Sequence, residues 1–356
     1  MSRALVTGSG GLVGSETVHL LASEGWEVIG IDNDSRAEFF GPEASTRPVS
    51  DELARELDGY WHVDADIRLV GALTSVFQNL GPFDLIIHAA GQPSHDWAGS
   101  YPKVDFAVNA QGTLNLLEQT RQRSHEATFC FLSTNKVYGD RPNRLPLKPY
   151  GDRFDLHPSH AWFDGIDTSM SIDQSMHSLF GVSKLAADLL TQEYGRYFGL
   201  NTVCFRCGCI TGPSHAGVEL HGFLAYLMKT VATGEPYTVY GYEGRQVRDN
   251  ISGRDVARAC LAYHGNPRRG AVFNLGGGRA NACSVLEAIS MCEEVSGRSL
   301  DWEVSPEHRP GDHRWWITDI EQFRRDFPDW KVQDSLLSLV GEIYETHSTS
   351  AAGLSA

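Results

Sequence analysis

The chain has 356 residues, 41% hydrophobic and 10% aromatic, which suits one large globular domain or two that share a core. Its 30 basic and 45 acidic residues give a net charge of −15, which excludes a broad cationic face for nucleic acid but still allows a local cationic pocket for phosphates. No run of 18 apolar residues occurs, so no membrane span is expected.

The first segment, "MSRALVTGSGG", enters a strand pattern at once, so no signal peptide is expected and a cytoplasmic location is. "ALVTG" reads as a buried strand. Directly after it, "TGSGGLVG" places Gly8, Gly11 and Gly14 at G-x-x-G-x-x-G spacing, with Leu12 and Val13 between the last two. Glycines there permit a tight turn, a close approach to a pyrophosphate and close packing of the next helix. That helix is "GSETVHLLASEG", and its N-terminus would face phosphate charge. "EVIGID" is the second strand, and Asp32 ends it 24 residues after Gly8. A carboxylate there can accept both ribose hydroxyls of NAD and repel the extra phosphate of NADP. Asn33 follows in the same turn. Arg36 is near enough to soften that preference, or it is a solvated loop charge, just as Asp32 alone could be a turn cap.

Further on, "DLIIHAAG" and "TFCFLST" read as strands, with "VDFAVNAQGTLNLLEQTRQR" as one long helix between them, and "TVCFR" closes the series. Short apolar strands separated by helices predict a doubly wound α/β fold, a parallel sheet covered on both faces. After residue 206 the rhythm breaks. "HGFLAYLMKTVATGE" and "CSVLEAISMCEEVSG" read as helices, and "YTVYGYEGRQVRDNISGRDVARACLAYHG" as strand, loop and helix. The expected organisation is a cofactor domain over 1–206 with 246–276 returning to it. A smaller mixed α/β region over 207–245 and 277–346 would bind substrate, and 347–356 would be a disordered tail. The seven cysteines include one close pair, "CGC" at 207–209, which reads as buried small residues in a reducing compartment; no metal site is expected.

Two stretches carry the chemistry, "STNKVYGD" at 133–140 and "MHSLFGVSK" at 176–184. With "TGSGGLVG", "DADIR", "HAAG", "VNAQGT" and "QVRDNI", they make nearly the whole chain resemble the extended short-chain dehydrogenase/reductase, or NAD-dependent epimerase/dehydratase, family. "STNKVYGD", "HGFLAYL" and "RPGDHRWWITD" look most like the CDP-tyvelose (CDP-paratose) 2-epimerase group. The resemblance implies a Rossmann domain holding NAD. It implies that Asp66 and Ile67 flank the adenine, that Ala89, Ala90 and Gly91 line the cofactor path, and that Asn109 belongs to the same set. Thr134 would hydrogen-bond the hydroxyl being oxidised, and Lys184 would grip the nicotinamide ribose. Lys184 would also lower the pKa of a tyrosine one turn earlier, the base of the reaction.

Phe180 occupies that tyrosine position, and a phenyl ring cannot move a proton. Three readings follow: another group supplies the base, the phenylalanine was introduced to trap a complex, or the chain has lost redox chemistry and only binds nucleotides. Lys136, in the same turn as Thr134, and His177, one helical turn before Phe180, are the candidate bases. Lys136 would be made less basic by burial beside Lys184 and the cationic nicotinamide; the bland readings are a solvated loop lysine and a capping histidine. Sugar 4,6-dehydratases of the family carry an Asp–Glu pair after the threonine. Here Asn135 and Lys136 stand there, which favours epimerisation by transient oxidation. Oxidation–elimination–reduction with Lys136 as base is the second expectation, a plain dehydrogenase the third.

On the substrate side the resemblance assigns Arg248 and Arg309 to a diphosphate, which arginine binds bidentately, with Arg245 a weaker third. His221 would start a helix beside the nucleotide base, and His95 and Asp96 would meet the sugar. The expected partners are a nucleotide-sugar or nucleoside substrate and a second copy of the chain.

Overall fold

The structure, a computed structural model, describes residues 2–214, 222–307 and 311–353. Seven strands form the main sheet: β1 (Arg3–Thr7), β2 (Glu27–Ile31), β3 (Tyr60–Val63), β4 (Leu85–His88), β5 (Thr128–Thr134), β8 (Asn201–Cys207) and β12 (Ala271–Leu275). Between and beyond them lie β6 (Lys148–Tyr150), β7 (Arg153–Asp155), β9 (Cys209–Thr211), β10 (Tyr237–Tyr240), β11 (Val247–Ser252), β13 (Ala282–Ser284), β14 (Trp302–Ser305) and β15 (Trp315–Trp316). The main sheet runs β12-β8-β5-β4-β1-β2-β3 and is parallel throughout. This is the expected doubly wound α/β fold.

Alternation explains why the central strands are apolar runs. Ala4 and Val6 of β1 enter one core with Val28, Leu85 and Ile87, while Leu5 enters the other with Ile29 and Ile86. A strand covered on both faces has no side left for polar residues. The edge strand β3 escapes the reading for that reason. In β3, "YWHV", only Tyr60 is buried and Trp61 is 61% exposed. β12 pairs with β8 alone. The long helix expected over 104–123 is also more articulated. It comprises a short helix Pro102–Phe106, a π-helical turn Ala107–Gln111 and a helix Gly112–Arg123.

The sheet order reverses between β1 and β4, and in such a sheet the crevice at the strands' carboxyl ends is where ligands bind. A second layer faces this crevice. It consists of β13-β11-β15 with β9 beside β11, the parallel pair β10–β14, and the helix Phe223–Thr233. The last helix, Leu336–Gly353, runs into the stretch expected to be disordered. Among the described residues, no helix is long and apolar enough to cross a membrane.

Candidate active site

One cavity of about 540 Å³ lies in this crevice, lined by Gly8, Gly11, Leu12, Val13, Gly14, Asp32, Asn33 and Arg36 at one end and by Lys136, Phe180 and Arg248 toward the other. Local backbone demands select the glycines. Gly8 has φ +71°, and a Cβ there would sit 2.8 Å from the Ala90 nitrogen. A Cβ on Gly14 would sit 1.9 Å from the Gly8 oxygen. The helix Leu12–Ser23 begins after Gly11 with no side-chain cap, so its first N–H groups face outward toward any anion at the loop.

Asp32 is fixed at the end of β2. One carboxylate oxygen accepts from the Gly10 nitrogen at 3.0 Å; the other accepts from the Asp34 nitrogen and the Thr46 hydroxyl, both at 2.9 Å. Sequence reading missed Thr46 as a support, because its helix, Arg47–Glu56, carries no motif. Arg36 lies with its guanidinium 5.0 Å from the Phe40 ring centroid. Asp66 and Ile67 line the same end, with Asp66 paired to Arg68 at 2.6 Å. Ala89, Ala90 and Gly91 continue β4 along the cavity wall. Asn109 does not reach the cavity. It lies behind that wall in the π-helical turn, accepting from the Gln92 nitrogen at 2.9 Å and donating to the Gln92 oxygen at 3.0 Å, so it shapes the turn rather than lining it.

At the ends of β5 and the helix Leu179–Phe198 the chemical groups converge. The Thr134 hydroxyl accepts from the Lys136 nitrogen at 3.2 Å and lies 3.4 Å from the buried Asn135 side chain. Lys184 donates from Nζ to the Leu132 carbonyl at 2.7 Å and sits 4.3 Å from the Phe131 ring centroid. Burial lowers its pKa to about 8. Lys136 is 17% exposed at its side chain; its Nζ donates to the Gly311 carbonyl at 3.0 Å and lies 3.8 Å from Asp312. Burial first, and then the Arg248 charge, lowers its pKa to about 8 against the opposing pull of Asp312. That environment corrects the expected one: the groups that bias Lys136 are Arg248 and Asp312, not Lys184, which is turned against β5.

Asp312 also pairs with Arg248. Burial alone would raise its pKa, but the Arg248 and Lys136 charges outweigh burial and hold it well below the usual carboxylate range. The sequence offered only a faint signal for Asp312, an aspartate three residues after Arg309, since its partners come from distant segments. His177 is not brought to the site. Its Nε2 donates to the Val137 carbonyl at 2.7 Å, a structural tie, and it is absent from the cavity lining. His95 and Asp96 both line the cavity, Asp96 the more exposed of the two. Arg245 is likewise turned away, onto the Gly151 carbonyl. His221 and Arg309 lie outside the described residues.

The chain and its fold resemble known proteins. The profile of the "NAD dependent epimerase/dehydratase family" fits residues 4–276. The chain is 30% identical to the CDP-paratose 2-epimerase of Salmonella typhi, over 98% of this chain and 99% of that one. It is 26% identical to dTDP-glucose 4,6-dehydratase 1 of Escherichia coli (strain K12), over 96% and 92%. Among solved structures, the UDP-glucose 4-epimerase from Bifidobacterium longum in complex with NAD+ and UDP superposes with a TM-score of 0.79 at 23% identity, covering 99% of this chain and 100% of that one. A glycine loop without room for a Cβ at Gly8 or Gly14, an uncapped helix start and a fixed carboxylate after β2 fit a dinucleotide: the chain belongs to the NAD-dependent epimerase/dehydratase family, and NAD is its cofactor.

Proposed function

We propose that the chain is a nucleotide-sugar epimerase of the CDP-paratose 2-epimerase kind, working by transient oxidation to a ketone and hydride return to the other face. The observation that carries this reading is the turn Thr134–Asn135–Lys136. An amide and a cation stand where an acid pair would drive 4,6-elimination, and the cation has its pKa near 8. NAD, when bound, supplies a reversible hydride acceptor. Asp32 would hold the adenosine ribose and select NAD over NADP. Lys184 would orient the nicotinamide ribose, and Thr134 would hydrogen-bond the reacting hydroxyl. Lys136 exchanges that hydroxyl's proton, because a group whose pKa lies near ambient pH can both accept and donate. Arg248 would share its fork between Asp312 and the substrate diphosphate.

Oxidation–elimination–reduction is the second reading, since a neutral Lys136 could also abstract the proton beside a ketone. One experiment separates the two: incubation with NAD and CDP-, UDP- and dTDP-hexoses, followed by NMR and mass analysis. An epimer of unchanged mass supports the first reading, a product lighter by one water the second, and no turnover of any sugar defeats both.

We also infer a homodimer in the cytoplasm. The helix Leu179–Phe198 leaves Leu179, Val182, Leu189 and Tyr197 exposed along its length, a row that a second copy would cover. All seven cysteines are free thiols, which suits a reducing compartment. Sedimentation at micromolar concentration showing only monomer would remove the dimer.

A further inference from the structure

His95 is the polar group packed against the ring that replaces the missing hydroxyl. Its imidazole meets Phe180 edge-on, with centroids 4.9 Å apart and planes at 68°. Its Nδ1 is tied to the Ser178 hydroxyl at 2.7 Å. Ser178 is itself held, because it caps the helix Leu179–Phe198 by accepting from the Gly181 nitrogen at 3.0 Å. The ring is therefore fixed to the helix that carries Phe180 and Lys184, although it arrives at the start of a separate short helix, His95–Ser100, that follows β4. Nε2 makes no hydrogen bond to any described residue, and the side chain lines the cavity. Gly311 joins the two proton-bearing groups. Its carbonyl receives Lys136 Nζ at 3.0 Å, and a Cβ on it would meet His95 Nδ1 at 2.6 Å. His95 and Lys136 thus flank one residue.

Epimerisation by oxidation and return gives such a pair a use. Hydride leaves and returns at one cofactor face, so the sugar must present opposite faces in the two half-reactions. Its oxygen need not then occupy one position, and one proton group need not serve both.

We propose that His95 and Lys136 divide the proton transfer, each serving the hydroxyl of one epimer. This rests on the epimerase reading above. In one half-reaction the O–H bond breaks and an N–H bond forms at His95 Nε2, while the carbon's hydride passes to NAD. In the other, hydride returns to the opposite face and the Lys136 ammonium gives its proton to the oxygen. The proton on His95 then passes to neutral Lys136, and both are restored. Burial, followed by the Lys136 charge, holds the His95 pKa down at about 3, so the resting ring is neutral with Nε2 open, and a proton taken there is held weakly and drains to Lys136 once the ammonium has given up its own. From the other epimer the roles reverse.

The test uses the NAD-loaded protein with each epimer in turn, reading the absorbance of reduced nicotinamide in a single turnover. His95→Asn keeps a polar atom near Ser178 but removes Nε2; His95→Gln places an amide near Nε2 that exchanges no proton. Both should lower steady-state turnover by ~10²–10⁴-fold and leave NAD binding by calorimetry and the melting temperature unchanged. The decisive result is a crossed pattern. His95→Asn should block oxidation of one epimer, whereas Lys136→Met should block oxidation of the other. Each should accumulate reduced cofactor with the epimer it can still oxidise. Full turnover in both histidine variants, or both positions failing with the same epimer, overturns the division. An inactive wild type overturns the epimerase reading and this proposal with it, an outcome distinct from an active wild type with indifferent His95 variants.

Discussion

Lys136 Nζ donates to the Gly311 carbonyl at 3.0 Å, across a separation that no local motif spans. An ammonium so held is anchored by one backbone acceptor and one carboxylate, while burial and the Arg248 charge oppose that carboxylate in setting its proton affinity.

Replacing Lys136 by methionine keeps the length of the side chain and removes the proton. Turnover should fall by ~10²–10⁴-fold, with NAD binding by calorimetry unaltered. Full activity in this variant would rule out the lysine.

Asp312→Asn tests the field around that lysine. Asp312 raises the Lys136 pKa, while burial and Arg248 lower it to about 8. Losing the carboxylate must therefore lower that pKa further, and the pH at which turnover changes with Lys136 ionisation should move to lower values. A pH–rate profile with no acid shift would mean that Lys136 does not titrate in the rate-limiting step.

Gly311→Ala should impair the site through geometry. Gly311 has φ +73°, and its Cβ would collide with His95 Nδ1. Backbone strain of this kind costs ~1–3 kcal/mol, so a lower melting temperature and reduced turnover are expected together. A variant with native stability and kinetics would show that the 311–313 segment adjusts freely.

Phe180→Tyr asks whether the site lost its base or was built without it. Phe180 is 7% exposed, packs against His95 with ring centroids 4.9 Å apart, and lines the cavity. A phenol there adds a hydroxyl to a site already arranged around Lys136 and His95, so turnover should stay level or fall. A tenfold or greater rise would mean that the site simply lacks its base.

For the cofactor end, calorimetry should give tighter binding of NAD than of NADP, with the gap narrowed in Asp32→Asn. The amide still supports one of the contacts to Gly10 and Thr46 but no longer repels a phosphate. NADP preferred by the unaltered protein would refute the Asp32 assignment. Lys184→Ala should weaken NAD binding and abolish turnover.

What the sequence made legible was whatever depends on local pattern. The central strands, the glycine turn and Asp32 declare themselves by apolar runs and spacing. The edge strand β3 does not, because a strand with one sheltered face lacks a continuous apolar run, and β12 does not, because the buried Asn274 interrupts its short apolar run. The π-helical turn at Asn109 is hidden inside a helix-like pattern. The Lys136 neighbourhood was unreadable, since Asp312 and Arg248 reach it from two separate later segments. His177 shows the opposite failure: correctly spaced on the sequence, it is spent on the Val137 carbonyl. His95 was expected to meet the sugar; its tie to Ser178 exists only in the folded chain.

Strand β11 carries Arg248 near its start and leads directly into the helix Gly253–Gly265. Gly253 lies close enough that a Cβ on it would meet Glu16 and Leu12 of the glycine-loop helix, and Ile251, Val256 and Ala259 share one core with Val13, Val18 and Leu21. The chain thereby bolts Arg248, on the cavity wall, to the glycine-loop helix without a hinge between them. Heat should therefore melt both halves in one cooperative transition, and saturating NAD should raise that single transition as a whole rather than split it in two.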